Sequence, residues 1–151
     1  MIEEKIKELG FTFPETPKPL AAYIPSIQVG KLVFTSGQVP IKDGKIQYAG
    51  KVGKDLAEEA GQKAAELCAL NCLSVIKNLI GDLDKIERII KLVVFVNSDD
   101  NFTSQPKVAN GASELMIKIF GERGKHARSA VGVSQLPLNA AVEIEMIAEL
   151  K

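Results

Sequence analysis

Residues 55–80 set the strongest constraint on the fold. Ala60, Ala64, Leu67, Cys68, Asn71, Val75 and Leu79 recur three and four apart, and Cys72, Ile76 and Ile80 widen the stripe. That period is helical, and so broad an apolar face is expected to pack on a sheet. Asp55 or a neighbour is expected to cap the start, and Gly81 the end in a left-handed conformation. The chain supplies the strands such a helix needs. Residues 21–30 and 31–40 read as two strands meeting at Val29-Gly30-Lys31, and Asp43-Gly44 marks a turn before a short third strand bearing Tyr48. In 86–97 the apolar run Leu92 to Val96 suggests a strand covered on both faces. Val108, Ala112, Leu115, Met116, Ile119 and Phe120 place a second helix at 107–120, and 126–133 and 140–150 complete the strands. The order predicts an α+β fold, a six-stranded sheet with two main helices on one face. At 151 residues the chain is read as one domain, 1–151. Its first 20 residues are expected to form a short helix over 2–9 and a proline-rich arm.

Nineteen basic and nineteen acidic side chains cancel. With no basic run to displace counterions from phosphates, a nucleic-acid partner is not expected. No segment approaches the ~20 apolar residues of a membrane span, and the charged, amphipathic N-terminus lacks a signal-peptide core. A cytoplasmic protein without membrane association is the expectation. Cys68 and Cys72 lie on one helix face, but the single histidine, His126, is remote in sequence. Zinc sites recruit three or four ligands, so the cysteines read as buried free thiols and no metal site is expected.

HARSAVGV, 126–133, places an arginine inside a strand, flanked at every second position by small residues. By alternation Ala127, Ser129, Val131 and Val133 share one face, and His126, Arg128, Ala130 and Gly132 the other. SQLPLN permits a hairpin to the last strand, which would put Arg128 beside Glu143 and Glu145 and leave the first face to meet the helices. Two readings fit. Arg128 forms a structural cross-strand ion pair with one of those glutamates, or it grips the carboxylate of a small anionic ligand in the space left by Ala130 and Gly132. The polar sheet face must also be solvated or meet another subunit.

Four blocks, LVFTSGQVP (32–40), LCALN (67–71), IIKLVVFVN (89–97) and HARSAVGVSQLPLNAAVEIEMIAEL (126–150), resemble the RidA/YjgF family of reactive-intermediate deaminases, also called endoribonuclease L-PSP. The resemblance runs over about residues 20–150. The N-terminal arm and the segment around 98–112 are similar to a longer branch of the family. The resemblance implies a chorismate-mutase-like sandwich, a homotrimer with sites in the clefts between subunits, and hydrolysis of 2-imino acids and their enamine tautomers to 2-keto acids and ammonia without metal or organic cofactor. That is the activity of a 2-iminobutanoate/2-iminopropanoate deaminase-like hydrolase.

By the same resemblance Arg128 holds the substrate carboxylate and Glu143 orients or deprotonates the attacking water. Tyr23 matches a family tyrosine that closes the pocket or bonds the substrate, although Ala21-Ala22 replace the family's Gly-Pro before it. Ser36 and Gly37 lie at the site's edge, and Asn110 matches an asparagine before the second helix. Ala130 occupies a position that is cysteine in many members, which removes thiol chemistry there and leaves backbone groups. Without the resemblance, Tyr23 reads equally as a packing residue and Ser36 as a backbone cap. Two other functions stand beside the deaminase: a non-catalytic trimer that binds keto acids or another metabolite, and a ribonuclease, for which balanced charge and one histidine give little chemical support.

Overall fold

The computed structural model describes residues 1–15 and 22–151. Helix α1 (Ile2–Glu8) is followed by the start of the arm, whose Phe11 and Phe13 pack against the core. The remainder of the expected arm, from residue 16 to 20, lies outside the described residues. Strands β1 (Ser26–Val29) and β2 (Leu32–Thr35) form a hairpin, and β3 (Ile41–Lys42) and β4 (Lys45–Ile46) form a second, smaller one. Asp43 and Gly44 both have positive φ, 53° and 74°, the backbone that two-residue hairpin turns require. Helix α2 (Glu58–Ile80), β5 (Ile86–Asn97), α3 (Gln105–Phe120), β6 (Ala127–Val133) and β7 (Val142–Leu150) complete the chain. Among the described residues no helix is long and apolar enough to cross a membrane.

The main sheet has five strands in the order β1-β2-β7-β5-β6, and β3-β4 stands apart as a two-stranded ribbon. The expectation of one six-stranded sheet is therefore corrected. The third strand is too short to join the sheet; its hairpin is held instead by Asn71, whose side-chain amide donates to the Val39 and Ile41 carbonyls at 2.9 and 3.0 Å. Tyr48 lies in a bend beyond this ribbon. Asp55 does not cap α2 either: Ala57 holds that position, and the Asp55 carboxylate accepts from the Lys51 backbone N–H at 2.9 Å.

Both long helices cover one sheet face. Leu92, Val94 and Val96 of β5 and Val142, Ile144, Met146 and Ala148 of β7 are buried beneath them, with Ala64, Ala65, Cys68, Cys72 and Ile76 of α2 and Ala112, Leu115 and Met116 of α3. Full burial of each large apolar side chain contributes about 1.5–3 kcal/mol. Cys68 and Cys72 are free thiols that donate to the β7 carbonyls of Val142 and Ile144. Burial pushes the Cys72 thiol up to about 12 and raises Cys68 as well, so neither supplies a thiolate near neutral pH.

The arginine strand is placed differently from the sequence expectation. β6 pairs with β5 in parallel, after the crossover through α3, and β7 takes the other edge of β5. Residues 134–141 thus carry the chain past β5 instead of turning a hairpin. Parallel pairing sets Arg128 opposite Leu92 and Ala130 opposite Val94, so Arg128, Ala130 and Gly132 lie on the helix side. Ala127, Ser129 and Val131 lie on the open side, with Phe34, Lys91, Val93, Phe95, Glu143, Glu145 and Ile147. Arg128 does not share a face with Glu143 or Glu145.

Candidate functional site

Arg128 sits half-buried on the edge strand and reaches the flank of α3. Asn110 and Ser113 are three residues apart on that helix, so their side chains stand one above the other. The Arg128 Nη1 group donates to Asn110 Oδ1 at 2.9 Å and to Ser113 Oγ at 3.1 Å. Both N–H bonds of Nη1 are then occupied by neutral acceptors. Among the described residues no carboxylate pairs with Arg128 and no protein group accepts from its Nε or Nη2. The ion-pair reading is excluded for the single chain, and the Nε–Nη2 edge keeps the two parallel donors that match a carboxylate. Ala130, next on the same side of the strand, packs against the core and adds no polar group. Gly132 leaves room for the side chain of Gln105, the first residue of α3: a Cβ there would lie 2.7 Å from Gln105 Nε2.

His126 continues this cluster. Its Nδ1 lies 2.6 Å from the Gly124 carbonyl and its Nε2 lies 2.9 Å from Ser113 Oγ. Burial lowers the imidazole pKa; the bond to the Gly124 carbonyl acts the other way, and Arg128 lowers it further. Ser113, Ile117, Lys125, His126 and Arg128 line a shallow cavity of about 230 Å³. Sequence reasoning passed over Ser113 and did not give His126 a role. The available signals were the spacing of Ser113 from Asn110 and the placement of His126 two residues before Arg128.

Glu143, Gly37 and Ser36 form a second group, around the open face. β2 stops pairing with β7 after Phe34, and pairing resumes at a bridge between Gln38 and Ile144. The intervening Ser36-Gly37 bulge lies against Glu143: a Cβ on Gly37 would come within 2.9 Å of the Glu143 carboxyl carbon. The Glu143 side chain is half-buried, and its pKa is raised, first by that burial and then by Glu145 on the same face. Ser36 Oγ donates to the Ile24 carbonyl at 2.7 Å and its N–H to the Pro25 carbonyl at 2.8 Å. The serine therefore clips the 22–25 segment to the end of β2, and Tyr23 stands on that segment, 56% exposed. The structure thus separates the expected site residues into two sets, Arg128, Ala130 and Asn110 on the helix side of the β6 edge, and Glu143, Gly37 and Ser36 around the open face, with Tyr23 on the segment that Ser36 clips.

A mixed sheet backed by two long helices, with an arginine on its edge strand and a half-buried carboxylate on its uncovered face, defines the α+β architecture of this chain. Residues 3–150 match the family model described as "YjgF/chorismate_mutase-like, putative endoribonuclease", and the chain belongs to that family. Protein TCP17 of Trypanosoma cruzi is 43% identical over 99% of this chain and 94% of its own length. A 2-iminobutanoate/2-iminopropanoate deaminase of Dermatophagoides farinae is 29% identical over 91% and 93%. Among solved structures, Atu1372 of Agrobacterium tumefaciens, a protein of unknown function, superposes with a TM-score of 0.93 at 49% identity, covering 99% of this chain and 92% of that one. A Shewanella oneidensis protein described as a "putative endoribonuclease" reaches 0.96 at 34% identity, with 99% of each chain covered. E. coli TdcF with bound serine reaches 0.63 at 26% identity, over 90% and 94%.

Proposed function

We propose that this protein hydrolyses 2-imino acids and their enamine tautomers to 2-keto acids and ammonia, without a cofactor, in clefts between the subunits of a homotrimer. The observation that carries this reading is Arg128, whose Nη1 is fixed by two neutral acceptors while its Nε–Nη2 edge stays available. A guanidinium held this way is a preformed clamp for a substrate carboxylate, which leaves the iminium carbon at a fixed position. The deaminase name carried by the D. farinae relative and the serine bound in TdcF support the same substrate class.

The reaction needs one group that moves protons. Glu143 takes a proton from water as the oxygen bonds to the iminium carbon, then returns it to the nitrogen of the tetrahedral intermediate. The C–N bond breaks and its electron pair leaves with ammonia, while Glu143 takes the hydroxyl proton as the carbonyl forms and passes it to the departing ammonia. Iminium and water become keto acid and ammonium. A raised pKa makes Glu143 a better base than an ordinary glutamate. Tyr23 closes the pocket, Ser36 and Gly37 shape its edge, Asn110 orients Arg128, and Ala130 contributes its backbone.

Arg128 and Glu143 stand on opposite sides of one sheet, so one chain alone does not bring them together. A second copy docking its β6 edge on the open face would. Such an interface joins two different patches, and repeated head to tail it closes into a ring. Three copies are the family's arrangement. The open face is suited to burial: Ile27 and Val29 are 51% and 62% exposed and Val131 is 43% exposed.

The test is hydrolysis of 2-imino acids generated in place by an amino-acid oxidase, comparing wild type with Arg128→Ala. Acceleration by wild type that is lost in the variant, with fold and assembly unchanged, supports the reading. Absence of acceleration across small, branched and aromatic imines overturns it and leaves a metabolite-binding protein using the same clefts.

A further inference from the structure

Resting on the reading of Arg128 as the carboxylate clamp, we propose that Ser113 and His126 are positioning residues that lock its guanidinium through a directed hydrogen-bond relay. The direction follows from chemistry. The Gly124 carbonyl can only accept, so at 2.6 Å the His126 Nδ1 must carry the proton. In the neutral ring Nε2 is then an acceptor, and it takes the hydroxyl proton of Ser113, 2.9 Å away. With its proton committed, Ser113 Oγ presents only lone pairs to Arg128, whose Nη1 donates to it at 3.1 Å. The relay runs Arg128 to Ser113 to His126 to the 124 carbonyl, and Asn110 holds the other Nη1 proton at 2.9 Å.

Each link removes a freedom that would blur the clamp. An isolated serine hydroxyl rotates, and beside a guanidinium it is as free to turn toward solvent as to accept. His126 removes that choice. The backbone carbonyl in turn sets the tautomer, because free imidazole favours a proton on Nε2 and this site demands it on Nδ1. The half-burial of His126 and the neighbouring Arg128 both favour the neutral ring that the relay requires. The consequence is orientational: with Nη1 tied to α3 at two points, the planar fork has only its Nε–Nη2 edge to offer. The relay therefore acts on substrate binding and leaves proton transfer at Glu143 untouched.

The single histidine of the chain makes this measurable without turnover. In the full-length protein labelled with ¹⁵N-histidine, the imidazole spectrum at neutral pH is expected to show a protonated Nδ1 and a bare Nε2, and pyruvate is expected to shift it saturably. Ser113→Ala should weaken pyruvate binding about five- to tenfold, the range of one lost hydrogen bond. Ser113→Thr, which keeps the hydroxyl, should stay within about twofold of wild type. His126→Asn should fall with the alanine variant, because its shorter amide reaches the 124 carbonyl but not Ser113. In imine hydrolysis the effect should fall on KM, with kcat within about twofold. A protonated Nε2 in wild type, or a folded Ser113→Ala that binds pyruvate as wild type does, overturns the relay. Pyruvate that fails to bind wild type, or binds Arg128→Ala equally well, overturns the carboxylate clamp instead, and the histidine tautomer then decides separately whether the relay exists.

Discussion

At the scale of single residues, Gly37 and Glu143 carry the most pointed consequences. The backbone of Gly37 lies outside the left-handed region, so alanine suits its conformation; the obstacle is the Glu143 carboxyl group, 2.9 Å from where the new carbon would sit. That group ends a flexible side chain and can move aside. Gly37→Ala is therefore expected to leave the melting temperature nearly unchanged while lowering kcat on the order of 10- to 100-fold, the effect of misplacing a reacting group by about 1 Å. Steady-state imine hydrolysis beside a thermal melt separates the two effects. Glu143 also fixes a pH dependence. In the proposed reaction it acts as a base only when deprotonated, and burial with Glu145 raises its pKa above the ordinary 4.5. Activity should thus decline on acidification at a pH above 4.5. Glu145→Gln removes the second cause and should move that limb downward without bringing it to the ordinary value, since burial remains. A limb that stays fixed in the variant would show that the carboxylate pair does not set it.

At the scale of elements, the decisive contact is between the two long helices. Gly111 of α3 faces the backbone carbonyl of Gln62 in α2 so closely that a Cβ would collide with it, and Gly61 faces Val108 at 3.1 Å from its own would-be Cβ. A cross-helix bond from Gln62 Nε2 to the Lys107 carbonyl at 2.9 Å fixes the same seam. Backbone cannot swing aside as a glutamate can, so Gly111→Ala should destabilise the fold by about 2–3 kcal/mol through overpacking. It should also weaken carboxylate binding, because α3 would carry Asn110 and Ser113 away from Arg128. Urea denaturation and a pyruvate titration on the same variant check both. This scale also shows where the sequence was informative. Apolar periodicity located β5 at its observed bounds and ended α2 before Gly81, because local burial and a left-handed cap leave local marks. Strand pairing leaves none: the alternation in 126–133 identifies two faces, but only the crossover through α3 makes β6 parallel to β5 and turns Arg128 toward the helices. The motif blocks led to Arg128 and Glu143, and the resemblance outside those blocks to Asn110. Ser113 and His126 escaped because one polar residue on a helix flank and one beside a strand end look like ordinary surface until tertiary structure joins them.

At the scale of the whole molecule, the separation of the two residue sets makes assembly and catalysis a single question. Glu143 and Gly37 occupy the open face, and Arg128 with Asn110 occupies the far edge, so the proposed site takes its base from one copy and its clamp from the next. Arg128→Ala and Glu143→Gln should each be inactive alone, since every cleft of the proposed homotrimer would lack one component in either variant. Refolded together in equal amounts, they should recover activity. A working cleft needs its Glu143 from the first variant and its Arg128 from the second. Each cleft draws on two independently chosen copies, so random assembly in a head-to-tail ring makes about one cleft in four complete. A mixture that regains roughly a quarter of wild-type activity, in particles sized as trimers, would establish the shared site. A mixture that stays inactive while exchanging subunits freely would place both residues in a cleft formed by one chain, and would require the β6 edge to move from where it lies along β5.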